Sequence, residues 1–343
     1  MILFYRKRPH STLPLLIAAF IALLAGCASI PEEVYTTEPS SHLEVTPQVY
    51  IRLSGKALRD ITSGIDEEEM RTIAAAIARN GGAASGSADN RPLDTKAATN
   101  MDTPMLENFF YRTRTFGAGI RGIGTAAPTM EAVFIGDFPV ISVRLAMAVD
   151  ANWRRMGDGG YRSVNYPIFI RPLQPGVLHA ATSVPPPYAG YVDIEAYPKR
   201  AADLAQSDIF ISANYPSAFF VGSLPMEAAS IPIGAIVVTG HFADNTGMSA
   251  YQVSRNGADG TPKGPEPRYL IDIHMMMKDE ATAKAYRPVV KFLWTAAAGK
   301  LFKGSVDLSA SPLTLEKDVY MVRNIEMDAA TLRTLLVTSL LAQ

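Results

Sequence analysis

Cysteine occurs once in these 343 residues and tryptophan only twice. With Cys27 as the sole thiol, no intramolecular disulfide can form, so the fold rests on packing alone. Neither sign of charge is in excess: 32 basic residues against 33 acidic leave a net charge of −1. Bulk electrostatics therefore give no reason to expect nucleic acid as a partner. Histidine occurs at His10, His42, His179, His241 and His274, and none of these has metal-site spacing to another histidine or to cysteine. No metal and no cofactor follow from such a set. A nucleophile-elbow motif is also missing, so the chain reads as a protein that is not an enzyme, although a triad assembled from distant positions would leave no local signature. Beyond residue 26 no long apolar run remains. The most apolar internal stretch, Ser217 to Phe242, is interrupted by Pro225, Glu227 and Pro232, which argues against a membrane span.

What is present begins at the N-terminus. Arg6, Lys7 and Arg8 are followed by a nearly all-apolar run, Leu13 to Leu24, and then by Leu24-Ala25-Gly26-Cys27. A basic start, a short apolar core and small residues form the layout of a secretory signal, too short for a comfortable span. Leu-Ala-Gly-Cys resembles the lipobox of bacterial lipoprotein precursors. That resemblance implies removal of residues 1–26 and acylation of Cys27 on its thiol and on its new amino terminus. An ordinary signal peptide with an incidental cysteine is the alternative. One acyl chain anchors marginally and two or more anchor stably, at about 0.8 kcal/mol per buried CH2. Ala28, standing where a retained lipoprotein would carry Asp, implies by the same resemblance export to the outer membrane of a bacterial envelope. The periplasmic leaflet is favoured over the cell surface.

Residues 27–48, with Pro31, Pro39 and Pro47 among Glu, Ser and Thr, show no apolar period and read as a flexible, lipid-anchored tether. Folded structure is expected from Val49-Tyr50-Ile51-Arg52-Leu53, a short strand. A helix capped by Asp66 and Glu69 and ended by Gly81 follows, then a loop to Thr103 and a short helix from Met105 to Thr115. Met130 to Ile135 reads as a strand. Asp137 and Pro139 open a helix with Val140, Val143 and Met147 on one face, though its β-branched residues leave a strand open. Tyr166 to Arg171 is a further strand. Pro185, Pro186 and Pro187 mark a boundary between an N-terminal α/β half, 49–184, and a C-terminal α/β half, 188–343. The second half carries strand candidates at Tyr191–Ala196, Ile209–Ser212, Ala235–His241, Tyr269–Met277 and Val306–Ser309. Arg255 to Arg268 reads as a loop. Helices are expected at Pro288–Phe302 and Asp328–Leu341. Gln48-Val49-Tyr50, Asp208-Ile209-Phe210 and Asp318-Val319-Tyr320 echo one another, which allows two related halves. The fold class is α+β, with mixed or antiparallel sheets packed with amphipathic helices.

Two motifs invite chemistry. Gly117-Ala118-Gly119-Ile120-Arg121-Gly122 matches the dinucleotide fingerprint, yet the residues before it are polar, and Gly124 and Pro128 spoil a following helix. A Gly-rich connector is the better account. In the strand from Tyr269, His274 shares a face with Asp272 and is expected to be half-exposed. The helix from Pro288 is more suggestive, because it mixes large apolar residues with lysines. Val289, Lys291, Phe292, Trp294, Lys300, Leu301 and Phe302 are the candidate lipid contacts, with Trp294 suited to headgroup depth. A core-packing helix with solvated lysines is the competing account.

Several segments are similar to spirochaetal, especially treponemal, outer-membrane lipoproteins described as lipid-binding and membrane-inserting. They are the lipobox, Tyr111-Arg112-Thr113-Arg114-Thr115-Phe116-Gly117, Gly136-Asp137-Phe138-Pro139 before an amphipathic stretch, and Trp153 followed by Tyr161. The resemblance implies an α/β body whose amphipathic helices close over an apolar cavity or open onto a membrane, and it transfers no catalytic residue. The expected function is that of a non-enzymatic envelope lipoprotein, anchored by Cys27, that binds lipid through its helices. The expected partners are membrane lipid, a bound phospholipid or fatty acid, and an envelope protein. The alternative is a periplasm-facing ligand- or protein-binding lipoprotein that uses the acyl chains only as a tether.

Overall fold

A computed structural model describes residues 30–63, 65, 109–123, 125, 128–164, 168–184, 194–214, 216, 232–243, 267–302, 308 and 310–341. Cys27, the signal segment, the Asp66–Gly81 helix, the loop after it, the Pro185–Pro187 boundary and nearly all of the Arg255–Arg268 loop lie outside those residues.

The described strands form one antiparallel sheet. They are β1 (Val49–Ser54), β2 (Thr113–Arg121), β3 (Thr129–Gly136), β4 (Trp153–Arg155), β5 (Tyr161–Ser163), β6 (Phe169–Gln174), β7 (Val177–Ala181), β8 (Ile209–Asn214), β9 (Ile233–Phe242), β10 (Arg268–Met277), β11 (Thr314–Glu316) and β12 (Val319–Asp328). Their order is β11-β12-β10-β9-β8-β1-β2-β3-β7-β6-β5-β4. With helices packed on it, the protein is α+β with the sheet dominant. The two expected segments meet at the β1–β8 pair, where Ile51 stands opposite Ile211. Outward from that pair the order is β2, β3, β7 on one side and β9, β10, β12 on the other. Of the three echoed triplets, each runs into the opening of a strand: β1, β8 and β12.

Both faces of the sheet are covered, so alternate residues of the inner strands are buried in two directions. Helices α2 (Gly55–Thr62), α4 (Glu280–Phe302) and α5 (Ala329–Leu341) lie on one face. There Leu53, Leu58, Ile61, Ile209, Ile271, Val322, Phe302 and Leu332 share a core. Local chemistry sets the helix starts. Ser54 Oγ accepts from the Ala57 N–H at 3.2 Å, Asp279 Oδ1 from Thr282 N–H at 2.7 Å, and Asp328 Oδ1 from Thr331 N–H at 2.7 Å. Each is an N-cap satisfying an otherwise unpaired donor. The opposite face carries Tyr50, Val133, Ile135, Val177, Phe210 and Val237. These pack against Val34 and Leu43 from the N-terminus and Ala201 and Ala205 from two 3-10 turns.

Several expectations change. Residues 30–48 do not form an extended tether. They fold as α1 (Glu32–Thr36) and a 3-10 turn, Pro39–His42, and bury Val34, Pro39, His42 and Leu43 on the sheet. Helix α4 begins eight residues before Pro288, because Asp279 caps it and the proline sits in its interior; Lys284 C=O there loses its helical donor. The short helix expected over Met105–Thr115 is present at 109–112 among the described residues but gives way to β2 at Thr113, and Ile194–Ala196 carries no strand. Finally, Gly117–Gly122 is no connector: most of it is β2, one of the two middle strands of the sheet, and only Gly122 turns, at φ 69°.

Candidate lipid-facing surface and buried ionic cluster

The N-terminal strap explains the glycine motif. A Cβ on Gly117 would collide with Pro39, and one on Gly119 would sit 3.0 Å from Pro47 Cβ and 3.2 Å from Leu43 Cδ1. The glycines of β2 are there because a second layer of chain lies directly on the strand. Glu38 in the strap accepts from Tyr50 Oη at 2.5 Å and faces Arg52 at 3.3 Å. Tyr197 stacks on Tyr50 with ring centroids 5.8 Å apart. Burial raises the Glu38 carboxyl pKa despite those two partners.

Charges are trapped under the strap. Glu44 pairs with Arg171 at 2.6 Å, both nearly inaccessible, and Arg171 also holds Asp158. Glu131 accepts from the Glu44 N–H at 2.8 Å and from Arg121 at 2.6 Å, and lies 3.6 Å from His179 Nε2. Burial alone would raise the Glu131 pKa; the adjacent His179, the Glu44 N–H and Arg121 outweigh it and the net shift is downward. Glu44 moves up, burial outweighing its cationic neighbours. His42 is lowered to about 4, by burial first and then by His179. With Arg171 holding Glu44 and Asp158, and Arg121 holding Glu131, the cluster is a structural clamp: a buried pair costs several kcal/mol to break, roughly 3–5, but adds little net stability over an apolar equivalent. Among the described residues no group of three or more His, Cys, Asp or Glu could hold a metal ion. His274 is buried instead of half-exposed, with desolvation lowering its pKa although Asp272 opposes the shift.

Helix α3 (Val140–Val149) presents the contrasting surface. Its sequence is VISVRLAMAV, and none of its ten residues is buried. Val140, Val143 and Met147, expected on one face, are the half-buried side; Ile141, Leu145 and Val149 are 62, 54 and 77% exposed. Tyr161 Oη donates to the Arg144 carbonyl at 3.1 Å, seating the helix against the β4–β5 edge. An apolar helix with an open apolar side is unusual for a chain that only meets water.

The expected lipid contacts on α4 separate. Val289 and Phe292 are exposed, at 43 and 69%, and Lys291 is exposed between them. Phe302 is buried in the core, and Trp294 is half-buried, its ring edge-on to Phe302 at 6.4 Å. These two serve packing, so the candidates on this helix narrow to Val289, Lys291 and Phe292. The side chains of Lys300 and Leu301 lie outside the described residues. No described helix is long and apolar enough to cross a membrane.

The fold and this surface define an α+β protein with a strapped sheet and an uncovered apolar helix. No protein-family model matches the chain, and no curated protein matches it. It is similar to solved structures of TP0453, a treponemal protein. Crystal form III aligns over 88% of this chain and 98% of its own, with a TM-score of 0.46 and 12% identity. Crystal form I aligns over 89% and 98%, at the same score and identity. A likeness at that score and identity assigns neither a family nor an activity.

Proposed function

We propose that this protein is a non-enzymatic lipoprotein of the bacterial envelope, held at the outer membrane by acylated Cys27, which associates with lipid through exposed apolar helix surface. The observation that carries the reading is α3: ten residues, eight of them apolar, none buried. Val289 and Phe292 on α4 add a second exposed apolar site. The lipobox supplies the anchor and the compartment, and no cofactor enters. The two sides of the sheet, with α3 following β3 and α4 following β10, are read as related halves in which one long helix is closed onto the core and the other left open.

Flotation with phospholipid vesicles tests this, using the mature chain with Cys27→Ala so that no acyl chain contributes. The protein should float, and Ile141→Asp/Leu145→Asp should abolish flotation while leaving the fold intact. Failure of the unsubstituted chain to float would leave the acyl chains as a bare tether and favour a soluble ligand or protein partner.

A further inference from the structure

The strap fixes where the anchor leaves the domain. Ile30 packs at the β6–β7 turn: a Cβ on Gly176 would lie 2.7 Å from Ile30 Cγ2 and 3.2 Å from the Gly136 carbonyl. Gly136 ends β3, four residues before α3 begins, and Tyr35 of the strap donates to Asp137 at 2.6 Å in that same link. Cys27 precedes Ile30 by three positions, at most about 11 Å of extended chain. An anchor at Cys27 is therefore tied within that reach of Ile30, which packs at the β6–β7 turn.

At the far end of α3 the sheet closes in a small basic hairpin. β4, the outermost strand, is Trp153-Arg154-Arg155, and Arg154 stands directly opposite Arg162 of β5. Like charges directly opposite on one face of a sheet are destabilising. Arg162 lies over the Phe169 ring at 5.7 Å, and among the described residues none of Arg154, Arg155 and Arg162 forms an ion pair. The nearby acids are otherwise engaged: Asp150 accepts from the Asn152 N–H, and Asp158 is taken by Arg171 and the Gly160 N–H. A charged, short edge strand can serve simply to blunt the sheet edge, but that role needs no pair of opposed arginines. Trp153 and Arg155 alternate with Arg154, so cationic groups fringe the edge on both sides.

We propose that α3 and the β4–β5 hairpin form one docking edge for a bilayer bearing anionic phosphodiester headgroups. Arg154, Arg155 and Arg162 take the phosphates, Trp153 sits at headgroup depth, and Ile141, Leu145 and Val149 enter the acyl region. The guanidinium fork suits phosphate oxygens bidentately. This rests on the lipid-association reading and adds its ligand class and orientation.

The test uses the mature Cys27→Ala chain with vesicles of pure phosphatidylcholine and of equimolar phosphatidylcholine and phosphatidylglycerol. Binding to the anionic vesicles should be the stronger. Arg154→Glu/Arg162→Glu should weaken that binding about tenfold or more, since each basic side chain near an anionic surface contributes roughly a fivefold factor. The same variant should leave phosphatidylcholine binding unchanged. Lys199→Glu/Lys278→Glu, an equal change of charge in the other half of the sheet, should have little effect. In a Trp294→Phe background Trp153 is the single tryptophan, and its emission should shift to the blue on anionic vesicles. Equal binding of both vesicles, with the arginine variant unaffected, overturns the headgroup site and leaves the lipid reading standing. An equal loss in the lysine variant overturns the site in favour of bulk charge. Binding to neither vesicle overturns the lipid reading itself.

Discussion

The strap and helix α3 both begin at the same end of the sheet, beside Gly136 and Asp137, and behave in opposite ways. The strap, residues 30–48, is rich in proline, glutamate and serine, yet it buries Val34, Pro39, His42 and Leu43 and closes a cluster of charges. Helix α3 is almost wholly apolar, yet none of its residues is more than half-buried. Hydropathy alone would exchange their places. A polar segment can be drawn under cover when its buried charges find partners of opposite sign. That inversion is the observation on which the proposed lipid association rests.

That contrast can be broken at several points, the strap giving the largest effects on stability. Arg171→Met removes the cation shared by Glu44 and Asp158 and leaves a carboxylate buried without its partner, so urea unfolding should show a loss of about 3–5 kcal/mol. Gly117→Val drives a branched side chain into Pro39 and should cost about 1–3 kcal/mol, with early proteolytic cleavage between Ile30 and Gln48. Cleavage no faster than in the unsubstituted protein would mean that the strap does not depend on that close approach.

A smaller, pH-dependent effect comes from His42. Its pKa falls from 6.5 to about 4 on folding, so the unfolded chain binds more protons between those values. The contribution is fully present above 6.5 and is lost as pH falls towards 4. Glu38 and Glu44, both raised, work in the opposite sense, so the signature lies in the difference between two chains. His42→Gln should lose less stability than the unsubstituted protein between neutral pH and about pH 5; parallel curves would contradict the assignment. Smallest of all should be the stability change on α3, where single Asp substitutions at Ile141 or Leu145 stay within about 0.5 kcal/mol.

Much of the sheet was legible in sequence. β1, β3, β8, β9 and β10 are runs of β-branched and aromatic residues, and Asp328 announces α5 as an N-cap. β2 was not legible, since Arg114, Gly117, Gly119 and Arg121 look like connector composition until the strap above them is seen. The strap itself was hidden for the same reason. Glu44 meets Arg171 across 127 positions, and no local pattern carries such a pairing. Isolated charges inside strands, Glu131 in Thr-Met-Glu-Ala-Val and His179 in Val-Leu-His-Ala-Ala, were the available hint. Pro288 concealed the true start of α4, because Asp279, nine residues earlier, caps the helix. The lysine-bearing helix α4 drew attention as a lipid contact, while its Val290, Leu293 and Phe302 are core; α3, with a single charge, turned out to be the more exposed apolar element.

One paired measurement bears most directly on the claim that α3 is left open for lipid: vesicle flotation and thermal unfolding of the same Ile141→Asp/Leu145→Asp protein, with Cys27→Ala throughout. Loss of flotation with an unchanged midpoint is the expected result. Flotation retained, or a midpoint lowered as far as a core substitution such as Leu293→Asp lowers it, would contradict the account, because α3 would then be either irrelevant to lipid or already packed.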